Sequence, residues 1–229
     1  MATGLWTIRV IFPQLTAAQR EVRVQAWAQR LLHLWGIAVV VRGTPPANGP
    51  LLLVANHISW LDIVVIHATR HCRFVSKSDV KHWPVVGALA RACNTLFIER
   101  ESRRDAMRVV HYMAEALRAG DIVAVFPEGT TSDGVTLLPF HANLLQAAIA
   151  TDAPVLPVAL QFTDQASGAL SLAPCYIGDD TLFGSVWRTL TTPGIAAVVS
   201  YGLPEHAAGR DRRTWAHDLQ ATIEALRQP

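Results

Sequence analysis

Leu51-Leu52-Leu53-Val54-Ala55-Asn56-His57-Ile58-Ser59-Trp60-Leu61-Asp62 is the stretch that decides the fold. Five apolar residues in a row, with no polar alternation, read as a strand covered on both faces, as strands of parallel sheets are. Asn56 and His57 end the run, and Ser59 has the side chain of a helix start. A helix is predicted over Ser59–Thr69. Working outward, the same alternation recurs. Short β-branched runs predict strands at Ile37–Val41, Cys72–Ser76, Thr95–Ile98, Ile122–Phe126, Val155–Phe162 and Ile195–Tyr201. Helices are predicted at Ala17–Trp35, Pro84–Ala92, Ser102–Ala119, Ala142–Ala150 and Thr214–Arg227. Ser102 and Asp105 suit the start of the third of these, and Gly120 its end. The pattern is that of an α/β protein, a single domain with a mainly parallel central sheet flanked by helices and preceded by an amphipathic helix. No repeat or linker divides it. Residues 1–36 read as an N-terminal amphipathic segment and 37–229 as the domain proper.

Composition narrows the function. Of 229 residues, 51% are hydrophobic and 17% charged, which excludes intrinsic disorder. A net charge of +2 is too near balance for a nucleic-acid binder. Three cysteines, Cys72, Cys93 and Cys175, leave one unpaired in any disulfide scheme and favour a reducing compartment. No charge-free apolar run reaches the ~20 residues of a spanning helix. Leu5–Phe12 is apolar but broken by Arg9, without the features of a signal peptide. On Ala17–Trp35, Val24, Trp27, Leu31, Leu34 and Trp35 fall near one face, with Arg20, Arg23 and Arg30 beside it. That pattern fits a helix on the domain's own core or one lying in a membrane interface, and by itself leaves both open.

In α/β sheets chemistry gathers beyond the carboxyl ends of the strands. Four such ends stand out. In the first, His57 follows a strand and Asp62 lies in the next helical turn, within reach of an imidazole nitrogen. That contact would fix the tautomer and leave a base. The same Ser59 and Asp62 also suit a capping box. In the second, Phe97-Ile98-Glu99-Arg100 ends in a guanidinium suited to a phosphate or carboxylate, although the charges around it also suit a solvated face. In the third, Phe126-Pro127-Glu128-Gly129-Thr130 places a carboxylate in a tight turn, where Gly129 permits close backbone approach. In the fourth, Pro157 interrupts a strand and marks an irregular edge or bulge. His67, His71 and Cys72 form no recognisable metal spacing, and no metal site is expected.

Taken in order, these blocks resemble the glycerolipid acyltransferases of the lysophosphatidic acid acyltransferase (PlsC) type. Asn56, His57 and Asp62 match that family's Asn-His-x4-Asp; Phe97, Ile98 and Arg100 match Phe-Ile-x-Arg; Phe126 to Thr130 match Phe-Pro-Glu-Gly-Thr; Leu156, Pro157 and Val158 match its apolar strand with a central proline. The resemblance implies acyl transfer from a thioester, acyl-CoA or acyl carrier protein, to a lysolipid hydroxyl, with no other cofactor. His57 and Asp62 are then catalytic, and Asn56, Arg100, Glu128, Gly129, Thr130 and Pro157 serve the acceptor. It also implies a membrane lipid partner and work at a membrane surface, on the cytoplasmic face of the inner membrane, with Ala17–Trp35 and Leu5–Phe12 as a peripheral anchor. Two departures bear on the acceptor. Thr131 stands where many members carry Arg, and Pro139-Phe140-His141-Ala142-Asn143 where many carry Lys. The first expectation is 1-acyl-sn-glycerol-3-phosphate; the alternative is a lyso-ornithine lipid. A serine hydrolase would need a Gly-x-Ser-x-Gly elbow, which the chain lacks. A non-catalytic lipid-binding protein on this scaffold is the remaining alternative.

Overall fold

A computed structural model describes residues 2–98 and 103–228. In chain order the elements are α1 (Ala2–Trp6), α2 (Ala17–Leu34), β1 (Ala38–Arg42), β2 (Leu51–Ala55), α3 (Leu61–Thr69), β3 (Arg73–Lys77), α4 (Val86–Ala92), β4 (Leu96–Ile98), α5 (Arg103–Arg118), β5 (Ile122–Val125), α6 (Gln146–Thr151), β6 (Val155–Asp164), α7 (Leu182–Thr191), β7 (Ile195–Tyr201) and α8 (Arg212–Leu226). The strands form one sheet in the order β1-β7-β6-β2-β5-β3-β4, and every pair is parallel except β6 with β7. β2 is fully buried at each residue. Its alternation splits the apolar run between two cores. Leu51, Leu53 and Ala55 face α2 and α3 with Leu32, Leu61 and Ile66, while Leu52 and Val54 face α5, α6 and α8 with Met113, Leu117, Trp215 and Ile223. Two covered faces explain why the strands read as continuous apolar runs.

The predicted elements lie within a few residues of the observed ones. Gly120 ends α5 with φ +88°, its neighbour's N–H closing back on Ala116 O at 3.1 Å. Ser102, the other expected boundary residue of that helix, lies outside the described residues. Thr16 and Gln19 close a capping box at the start of α2, with reciprocal bonds of 3.3 and 2.9 Å.

Three features refine what the sequence predicts. First, the apolar face of α2 is not free: Val24 and Leu31 are buried together with Ala28 and Leu32, and Trp27 and Trp35 pack on the core. Of the apolar residues named on α2 only Leu34 is open, at 69% exposure, while in Leu5–Phe12, the other part of the expected anchor, Trp6 and Val10 are exposed. Second, Pro157 does not mark a sheet edge, because β6 pairs on both sides. The irregularity is a bulge. Between the Val158–Tyr201 pair and the Val155–Glu205 bridge the register slips by one residue, and the missing donor of Pro157 falls there. Third, α7 had no predicted counterpart. Its sequence, with Gly184, Ser185 and Thr189 inside it, carries its large apolar residues outward, opposite to the sense that periodicity arguments assume.

Candidate active site

The carboxyl ends of β2 and β5 lie side by side, Val54 opposite Val125. Beyond them the chain turns into loops whose polar groups converge on His57. The imidazole Nδ1 lies 2.8 Å from Asp62 Oδ2. A carboxylate can only accept, so Nδ1 carries the proton and Nε2 keeps its lone pair. The His57 side chain is 19% exposed and Asp62 fully buried. Among the described residues none bonds Nε2.

Asp62 answers both readings of its position. Its Oδ2 accepts from Ile58 N at 2.7 Å and Ser59 N at 2.9 Å as well as from the imidazole, while Ser59 Oγ accepts from Leu61 N at 3.2 Å. One carboxylate oxygen therefore holds the turn that leads into α3 and orients the ring. The acid also sits in the first turn, at the positive end of the helix.

The peptide unit around His57 is fixed as firmly as the ring. Its N–H donates to Glu128 Oε1 at 2.7 Å, and its carbonyl accepts from Ser132 N at 2.8 Å and Ser132 Oγ at 3.1 Å. Below the imidazole lies Phe126, stacked at 4.0 Å with the planes 7° apart, and Phe126 stacks in turn on Phe74. Phe126 and Ser132 were not singled out from the sequence. Phe126 is the first residue of the Phe-Pro-Glu-Gly-Thr block, so its signal was present; Ser132 reads as one more turn residue.

Glu128 bonds main chain with both carboxylate oxygens. It is buried, and its second oxygen accepts from Leu138 N at 2.9 Å. Burial pushes its pKa up, against the pull of the N–H groups of Leu138 and His57. It is a clamp between the two catalytic loops, with both oxygens engaged by main chain. Asn56 likewise bonds main chain. Fully buried, its amide gives Leu160 O a bond of 3.0 Å and takes one of 2.7 Å from Leu160 N, so the side chain continues the β2–β6 ladder past the end of β2. Gly129 has φ +73°, and its N–H closes a turn on Phe126 O at 3.1 Å. Thr130 is exposed beside it. Thr131 Oγ1 donates to the carbonyl of Tyr176. Gly134 brings this loop against Ile58 so closely that a Cβ there would stand 2.9 Å from Ile58 Cδ1.

Of the residues expected at the site, His57, Asp62, Glu128, Gly129 and Thr130 come together on two adjacent loops. Pro157 does not join them. It shares a sheet face with Val155 and Ala159, against Gly202 and Leu226 on the α8 side. Arg100 lies outside the described residues. His67 and His71 stack with centroids 5.1 Å apart near the far end of α3. Burial, helped for His67 by its neighbour and for His71 by Arg70, pushes their pKa values down to about 3 and about 4.

A strand-end histidine with no described partner on Nε2, locked by a buried carboxylate, has the geometry of a general base on a mainly parallel α/β scaffold. The acyltransferase family model matches residues 36–161, which include the blocks around His57, Phe97, Phe126 and Pro157. A 1-acyl-sn-glycerol-3-phosphate acyltransferase of Neisseria gonorrhoeae is 36% identical over 188 residues, 82% of this chain and 73% of that one. A lyso-ornithine lipid O-acyltransferase of Pseudomonas aeruginosa is 34% identical over 204 residues, 89% and 78% of the two chains. The crystal structure of PlsC, the 1-acyl-sn-glycerophosphate acyltransferase of Thermotoga maritima, superposes with TM-score 0.70 at 22% identity, covering 100% of this chain and 88% of that one; it speaks for the fold. The chain belongs to the acyltransferase family.

Proposed function

We propose that the chain is an O-acyltransferase that moves a fatty acyl group from a thioester, acyl-CoA or acyl carrier protein, to the free hydroxyl of a lysolipid. The observation that carries this is the His57 Nδ1–Asp62 contact of 2.8 Å with Nε2 left without a described partner. An alcohol is a poor nucleophile until its proton is taken. Nε2 takes it as the oxygen attacks the thioester carbonyl; the tetrahedral intermediate then expels the thiolate, which receives the proton from the imidazolium. Asp62 stabilises the ring while it is charged. The hydroxyl of the acceptor fills the place of the serine in a Ser-His-Asp triad, so no acyl-enzyme is needed. The enzyme works at a membrane surface, where such acceptors reside, and on the cytoplasmic face, where thioester donors are made. Three free thiols agree with that compartment.

The first acceptor is 1-acyl-sn-glycerol-3-phosphate, as in the name of the Neisseria relative. Arg100 is then the cation for the phosphate. One observation favours a second reading, a lyso-ornithine lipid. Thr131 holds the place of a family cation, and its hydroxyl is committed to the Tyr176 carbonyl rather than offered to a headgroup. Purified protein with one acyl donor and a panel of lysophosphatidic acid, lyso-ornithine lipid and other lysolipids, read by mass spectrometry, decides between them. Product from the first acceptor alone supports the first reading, and product from the second alone replaces it. No product from any lysolipid overturns both.

A further inference from the structure

The large apolar residues of α7 face the solvent. Phe183 is 78% exposed, Trp187 63% and Leu190 41%, at the i, i+4, i+7 spacing of one stripe, while the inward stripe is Ser185 and Thr189, both buried. This orientation is held by specific bonds. Ser185 Oγ accepts from Trp60 Nε1 at 3.1 Å and donates to Cys175 O at 3.3 Å, and Arg188 Nε donates to Ala173 O at 2.9 Å. The helix cannot roll its aromatics inward without breaking them. Leu172 and Ile177, on the segment beneath it, are also exposed. A contiguous apolar face of this kind marks an interaction site.

Charge says what fits it. Between Asp164 and Glu205 the sequence holds only three charged residues, Asp179, Asp180 and Arg188, and the last two pair at 2.9 Å. Within this stretch no unpaired cation is left to attract an acidic carrier protein or to gather anionic headgroups. Tryptophan, phenylalanine and leucine without charge suit the boundary between headgroups and acyl chains. Position adds the rest. The segment leading into α7 is bonded to the catalytic loops, Tyr176 N to Ile58 O at 3.2 Å and Tyr176 O from Thr131, so the stripe borders the strand ends that carry His57.

We infer that this face of α7 seats the protein on a lipid bilayer, with Phe183, Trp187 and Leu190 entering between the headgroups. The inference deepens the proposed function, since a bilayer-held acceptor is what gives such a seat its use. Co-sedimentation with vesicles of pure phosphatidylcholine, at low and high salt, tests it. The wild-type chain binds, and salt changes this little, because insertion of uncharged side chains is not screened. A Phe183→Ser/Trp187→Ser/Leu190→Ser variant, confirmed folded by its thermal melt, loses at least about tenfold in partitioning, whereas Trp187→Phe retains it. The triple variant keeps its turnover on a soluble short-chain acceptor and loses turnover on an acceptor held in vesicles. A folded triple variant that binds like wild type overturns the inference. So does wild-type binding that needs anionic lipid and vanishes in salt, which would assign adsorption to the arginines of α2. So does a wild-type dimer that the triple substitution makes monomeric, which would assign the stripe to a second copy. Wild-type protein that binds vesicles through α7 and acylates no lysolipid leaves the seat standing and overturns the proposed function alone.

Discussion

The two ends of α3 hold imidazoles in opposite circumstances. At its amino end His57 is partly open, meets Asp62 at 2.8 Å and stacks on Phe126. Near its carboxyl end His67 and His71 stack on each other in the interior, each with an Nδ1 that finds no hydrogen-bond partner. Both regions bury a ring beside an aromatic, but only at the amino end does a carboxylate bond the ring; at the other, the pull of Asp121 on His71 is outweighed by burial and Arg70. Desolvation without a hydrogen-bond partner keeps an imidazole neutral and inert, whereas a carboxylate on Nδ1 fixes the ring's tautomer and direction. The difference lies in the partner and not in the histidine.

Breaking the active end should have the largest effect. His57→Ala is expected to lower turnover by about 10³–10⁴-fold, the upper range for loss of a general base, while the fold and acceptor binding persist; steady-state kinetics and a thermal melt check both halves. Asp62 comes next and can be split. Asp62→Asn keeps an acceptor for the N–H groups of the turn before α3 but no longer fixes the imidazole tautomer, so kcat should fall about 10²-fold or more with little change in KM. Asp62→Ala loses that acceptor as well, and its melt should show a further loss of about 1–3 kcal/mol, the cost of buried N–H groups left unpaired.

Glu128 tests how far the main-chain clamp matters beside the ring contact. Its pKa is raised in the folded protein, so the native state takes up the proton more readily than the unfolded chain. Its contribution to stability is present below the ordinary glutamate range near ~4.3 and is lost as pH rises through the raised value. Glu128→Gln, which resembles the protonated acid, should flatten that part of the melting-temperature profile and lower kcat about tenfold by loosening the His57 peptide. The inert end should give the smallest effect at neutral pH. His67 has a lowered pKa, about 3, so the unfolded chain is protonated first as pH falls below ~6.5, and stability erodes from there down through about 3. His67→Leu should leave turnover intact and remove part of that acid loss. A variant that melts in acid like wild type, or that loses activity at neutral pH, would erase the contrast between the two ends of α3.

The parts of this molecule legible in its sequence are those whose signals are local. The apolar run of β2, the Gly120 stop and the spacing of His57 to Asp62 each lie within a few residues, and each stands where the sequence predicts. What stayed hidden depends on partners far along the chain. Asn56 finds Leu160, Glu128 finds the N–H groups of His57 and Leu138, and Ser132 finds the His57 carbonyl. Each side chain is of a type that serves an acceptor or a turn equally well, and only the folded path assigns it to the main chain. α2 and α7 show the same limit for faces. Both are amphipathic, but α3 covers one and nothing described covers the other, and periodicity cannot say which.

The triple use of one Asp62 oxygen has an evolutionary consequence. A descendant that abandoned catalysis would still need that acid to hold the turn that leads into α3, whereas His57 would be released from selection. In sequences of this kind, survival of the aspartate alone is weak evidence of a working enzyme, and loss of the histidine five positions earlier is the mark of a retired one.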